Sequence, residues 1–125
     1  MPLLADEDFK TRAAAAAALA AVCVDEISRE QAVSQARVLE YLPGIVADTY
    51  DSCQLYGVKL LGIFVENPEW RRQLAPVKST LAEMVRMGGV TADKRSQTRE
   101  YVLRSAEVRI MFVRFGRYVP ASLPN

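Results

Sequence analysis

Side chains able to do chemistry are few in this chain, and the most versatile kind is missing. There is no histidine, which removes the commonest general base and the commonest metal ligand. No Ser–His or Cys–His pair can form to activate a nucleophile. Cys23 and Cys53 stand outside any CxxC or other ligand spacing and read as two small buried hydrophobes. Two thiols without a disulfide framework fit a reducing compartment. Carboxylates recur on helical faces at Asp48 with Asp51 and at Glu26 with Glu30. Inward pairs of this kind hold two metals only in bundles that add Glu-x-x-His motifs. Without those motifs the two pairs are expected to be solvated surface. There is no GxGxxG and no Walker loop, and Gly88-Gly89 alone reads as a helix cap. Trp70 reads as a core or interface anchor. The expectation is a protein that is not an enzyme and takes no cofactor and no metal.

Arginine is the exception to this scarcity. Residues 99–120 carry five arginines among seven aliphatic or sulphur side chains and four aromatics. On a helical wheel at about 100° per residue, Tyr101, Val108, Phe112, Phe115 and Val119 gather on one side. Val102, Ala106, Ile110 and Val113, with Leu103 nearby, gather on another. A helix with two apolar faces either sits inside a bundle or keeps one face for a partner. Arg95, Arg99, Arg109 and Arg117 fall within roughly 80° of each other on that wheel, whereas Arg104 and Arg114 stand apart. The bland expectation is that these stems lie over apolar surface with their heads in water or against acids. Glu100 and the acids of the first half are available partners.

Four helical stretches must position these residues. The first is expected from about Asp6 to Leu42. Its acids at 6 to 8 suit a helix start, and Phe9, Ala13, Ala16, Ala20, Cys23 and Ile27 form one stripe. Ser28 with Gln31 resembles a capping box, so a kink or break belongs near Ser28, with a kinked continuous helix favoured. The run Ala13 to Ala18 offers a close-packing surface. Pro43-Gly44 separates this stretch from the second, where Val46, Tyr50, Cys53, Gly57, Leu60 and Phe64 keep heptad spacing. Gly57 and Gly62 are expected to mark close contact with another helix. Asn67-Pro68-Glu69 opens the third, as N-cap, first helical position and first-turn acid. Its stripe is Trp70, Leu74, Val77, Leu81 and Met84 or Val85, with a kink at Pro76 and an end at Gly88. Thr91 is expected to cap the last helix, which ends near Tyr118 and leaves 120–125 as a frayed tail. The fold class expected is all-α, an antiparallel four-helix bundle, or five helices if the first breaks near Ser28.

Composition sets the frame. The 125 residues, half of them hydrophobic and a quarter charged, fit one globular domain spanning 1–125. Residues 1–66 hold ten acids and five bases, net −5, while residues 67–125 hold five acids and eleven bases, net +6. Such asymmetry prompts a nucleic-acid or partner hypothesis, although two halves packed together would neutralise each other. The best apolar run, Tyr56 to Val65, is about half of a membrane span and is interrupted by Lys59. Lys10 and Arg12 before Ala13–Val24 imitate a signal peptide, but Asp6, Glu7 and Asp8 spoil its basic start. A cytoplasmic location is the expectation.

The functional expectation is therefore an interaction or assembly protein working through helix–helix contacts. Its partner would be a protein or a second copy, and its interface would use Trp70, Tyr101, Val108, Arg109, Phe112 and Phe115. The alternative is a nucleic-acid binder holding phosphates with Lys94, Arg95, Arg99, Arg109 and Arg117. A sequence pI near 7.7 weighs against that alternative.

Overall fold

A computed structural model describes residues 3–91 and 99–117, with the side chains of 87–91 and 99–101 outside the description. A 3-10 turn at Leu3–Ala5 precedes seven α-helices among the described residues. They are α1 Phe9–Val22, α2 Glu26–Ser34, α3 Val38–Val46, α4 Asp51–Phe64, α5 Pro68–Gln73, α6 Val77–Thr91 and α7 Arg99–Arg117. No strand occurs among the described residues, so the chain is all-α as its composition implied.

The starts of α1 and α5 follow from local chemistry. Asp8 caps α1 by accepting from the Lys10 N–H and from the Thr11 hydroxyl. Asn67 caps α5 by accepting from the N–H groups of Glu69 and Trp70, with Pro68 at the first helical position where its missing N–H costs nothing.

The long first stretch is three helices, not one kinked rod. It breaks at Cys23–Asp25 and again at Gln35–Arg37. The cap of α2 is Asp25, whose carboxylate accepts from the Ser28 N–H at 2.6 Å, so Ser28 is the capped residue and not the cap. Arg29 reinforces the break by donating to the Cys23 carbonyl at 3.3 Å. The stripe of α1 is accordingly buried or partly buried through Cys23 and ends there, leaving Ile27 exposed. Pro43 and Gly44 lie inside α3. Only one intrahelical bond is forfeited at Pro43, and the chain turns instead after Val46.

Pro76 divides the third stretch outright into α5 and α6. Gly88 and Gly89 do not end α6, which continues to Thr91. Thr91 thus lies in α6 and does not cap α7, and α7 is described from Arg99. Asp93, Lys94, Arg95, Tyr118, Val119 and the tail 120–125 lie outside the described residues.

At the centre is α4. Cys53, Leu55, Gly57, Val58, Leu60, Leu61, Gly62 and Phe64 are all buried, which leaves little of this helix to water. A helix apolar on most sides belongs in a core. It is packed by α1, α3 and α7, and α6 packs on α7 in turn. Alanine explains the approach of α1, where Ala13 and Ala16 are buried. Gly57 explains that of α3, because a Cβ there would meet the backbone of Ile45 and Val46 at 3.0 Å. Phe64, Leu42, Leu60, Leu61 and Leu81 are fully buried in one connected core. Each such side chain contributes on the order of 1.5–3 kcal/mol.

Candidate functional site

The rotation of α7 decides which of its two apolar faces is free. Arg104, Val108, Met111 and Phe115, at 4-3-4 spacing, are buried. Three contacts fix that choice. Gly62 leaves room for the Met111 methyl, which an added Cβ would meet at 2.8 Å. The acids of α4 and its end then receive the inner arginines. Arg104 Nε lies 3.5 Å from Asp51 Oδ1, and Arg114 pairs with Glu66. Lys78 of α6 sits 5.8 Å above the Phe115 ring. Basic second half and acidic first half thus meet within one chain at these points.

The opposite side of α7 is left uncovered. Val102, Leu103, Ile110 and Val113 are exposed, Ile110 at 59%, and Ala106 lies among them exposed as well. Arg109 and Arg117 are exposed on the same side. Among the described residues neither takes part in an ion pair. An apolar strip along one helix, edged by arginine, departs from ordinary surface.

The residues expected at an interface are divided by this rotation. Val108 and Phe115 are 1% and 3% exposed and are spent inside the chain. They are unavailable to a partner while the fold stands. Phe112 lies at the margin, 40% exposed. Arg109 is exposed. Trp70 is half-buried with its ring 5.5 Å from that of Phe64, an anchor of the core. Tyr101 and Arg99 belong to α7, but their side chains lie outside the described residues, as do Lys94 and Arg95 altogether. The wheel found both faces. It could not say which was inside, because Val108 and Phe112 differ by about 40° and the choice is made by Gly62, Asp51 and Glu66 on another helix.

Two further features were hidden from the sequence. Asp48 is not solvated: its side chain is 8% exposed and takes a two-pronged bond from Arg12, Nε to Oδ2 at 2.7 Å and Nη2 to Oδ1 at 3.1 Å. Arg12 also donates to the carbonyls of Asp6 and Glu7, tying the amino-terminal turn to the α3–α4 junction. Burial pushes the Asp48 carboxyl up, but the hydrogen bonds from Arg12 and from the Tyr50 N–H overcome it and hold it below its ordinary value. Arg12 and Asp48 are 36 residues apart, and no local pattern links them. Asp51 faces Arg104 instead, so the two aspartates do not form a paired site. Glu26 and Glu30 are exposed, as expected of a solvated pair.

The second feature is an open apolar groove of about 550 Å³. It runs between α1 and the α2–α3 turn, lined by Leu4, Ala15, Leu19, Val22, Ala36 and Tyr41 among others. Cys23 and Cys53 are buried free thiols, and burial pushes both up from the ordinary thiol value. Among the described residues no three His, Cys, Asp or Glu side chains gather to hold a metal. No described helix is long and apolar enough to cross a membrane.

Set beside known proteins, the chain matches no family model, no curated protein and no solved structure.

Proposed function

We propose that this chain is a non-enzymatic interaction protein that works through the outer face of α7, either joining copies of itself or docking on a larger protein. The observation that carries this reading is the exposed strip of Val102, Leu103, Ile110 and Val113, lying opposite a face that is already buried. A helix that has filled its own core and still presents branched aliphatic side chains loses free energy to water unless something covers them. The architecture proposed with it is one helical domain. Its four longest helices, α1, α4, α6 and α7, form an antiparallel bundle with α4 central. Free buried thiols support a reducing, cytoplasmic setting.

The test is the paired substitution Ile110→Asp with Val113→Asp. Exposed positions tolerate polar replacement within about 0.5 kcal/mol in an isolated chain. Unchanged stability with loss of association in sedimentation velocity is the expected outcome. A stability loss above about 2 kcal/mol would place the strip inside the chain's own core and end the reading.

Arg109 and Arg117 keep a second reading alive, in which exposed arginines of α7, with Arg99, Lys94 and Arg95, hold nucleic-acid phosphates. Affinity for a mixed-sequence duplex that falls steeply with salt, and falls again on Arg109→Ala with Arg117→Ala, would favour it. The near-neutral total charge, +1, speaks for the protein partner.

A further inference from the structure

We infer that the outer face of α7 docks on the α1–α2 elbow of a second copy of this chain, so that copies join head to tail. This rests on the reading of α7 as an interaction face and names its partner.

The elbow is another place, among the described residues, where large aliphatic side chains stand in water. Val22, at the end of α1, is exposed, and so are Val24 and Ile27, at 75% and 70%. Acids surround them: Asp25, Glu26 and Glu30 are exposed on the same turn and on the first turns of α2. Asp25 spends its carboxylate on the Ser28 N–H. Glu26 and Glu30 enter no ion pair among the described residues. The two patches are therefore alike in apolar character and opposite in charge.

Charge decides how they pair. Arginines on the inner side of α7 are matched by Asp51 and Glu66 of the same chain. Exposed arginines elsewhere, Arg37, Arg72 and Arg86, are matched one turn away by Glu40, Glu69 and Glu83. Arg109 and Arg117 have no such neighbour, and a two-fold pairing of α7 with itself would crowd both copies of each around one seam. A two-fold pairing of elbows would do the same with glutamates. Like charges face to face disfavour both symmetric arrangements. Joining α7 to the elbow covers both apolar patches and sets Arg109 and Arg117 against Glu26 and Glu30. The patches cannot cover each other within one chain, since both are exposed there. A joint between two different surfaces leaves one of each unused at every step, and so produces rings or open chains.

Capped mixing tests this. Ile110→Asp closes the α7 face and Ile27→Asp closes the elbow. Their melting temperatures report folding, and Val113→Asp and Val24→Asp replace either variant if it melts low. Native mass spectrometry is read on the wild type, on each variant, and on the variants mixed one to one. The wild type is expected to grow beyond a dimer with concentration. Each variant alone is expected to stay monomeric, with self-affinity lower by roughly tenfold or more. The mixture is expected to give a dimer of one chain of each kind and nothing larger. If Ile27→Asp assembles like the wild type while Ile110→Asp does not, the elbow is overturned and the α7 reading stands. A wild type that stays monomeric overturns the second copy as partner and leaves α7 facing some other protein. Wild-type assembly unaffected by either substitution overturns both.

Discussion

Two glycines of α4 show how far the meaning of one residue depends on what stands opposite. Gly57 faces the backbone of α3 at 3.0 Å, and a backbone cannot swing away. Gly62 faces the Met111 methyl and the Arg114 guanidinium, the ends of flexible side chains. Alanine improves helix propensity by about 1 kcal/mol at either site. Overpacking costs about 1–3 kcal/mol where nothing can yield. Gly57→Ala is therefore expected to lose up to about 2 kcal/mol in urea unfolding, and Gly62→Ala to stay within about 1 kcal/mol of wild type. Asp48 gives a pH-dependent counterpart. Its folded value is depressed, so it stabilises above the ordinary carboxylate value near 3.9 and loses that contribution as pH falls through and below it. Asp48→Asn should lower the urea midpoint at pH 7, with the difference from wild type shrinking as pH drops below about 4. Arg12→Lys should also destabilise, because an ammonium cannot reproduce the two-pronged contact. The buried thiols predict slow labelling of Cys23 and Cys53 by a thiol reagent in the native protein, rising to a free-cysteine rate in denaturant.

At the scale of elements, α7 carries the argument, and neighbouring positions along it should respond oppositely. Val108→Asp buries an unpaired charge and is expected to unfold the chain or cost several kcal/mol. Ile110→Asp is expected to leave helical content and melting temperature nearly unchanged. Circular dichroism during a thermal melt separates the two. Other elements show where the sequence was legible. The cap at Asn67 was readable because a cap is a bond between residues two or three apart. So were the close contacts at Gly57 and Gly62, because glycine is costly in a helix without a reason. Most helix breaks were not, those at Asn67 and Pro76 apart. The chain turns at Cys23–Asp25, at Gln35–Arg37 and after Val46, none of them marked by glycine or proline, and it runs helically through Pro43, Gly44, Gly88 and Gly89. Arg37 even adopts a left-handed conformation, φ 55°, that its side chain disfavours. Packing of α1 and α3 on α4 imposes these turns, and packing partners distant in sequence leave no local trace. For the candidate site, both faces of α7 could be read off the wheel, but their assignment to inside and outside could not.

At the scale of the whole molecule, an acidic first half and a basic second half meet partly inside the chain, through Arg104 with Asp51 and Arg114 with Glu66. Among the described residues, part of what is left over sits at Glu26 and Glu30 on one element and Arg109 and Arg117 on another. Self-association driven by that remainder should weaken on moving from about 0.05 M to about 0.5 M salt, as screening shortens the reach of exposed charges. The apolar strip should keep it from vanishing. The most direct test of α7 as a face covered by another copy is solution mass by light scattering behind a sizing column. It is run across a wide concentration range at low salt, with the 260/280 nm absorbance ratio recorded. The expected result is a mass above the 13.9 kDa of one chain that climbs with concentration, with a protein-like ratio and a return to one chain on Ile110→Asp. A mass fixed at one chain throughout, or a peak carrying nucleic acid that salt releases, would contradict it.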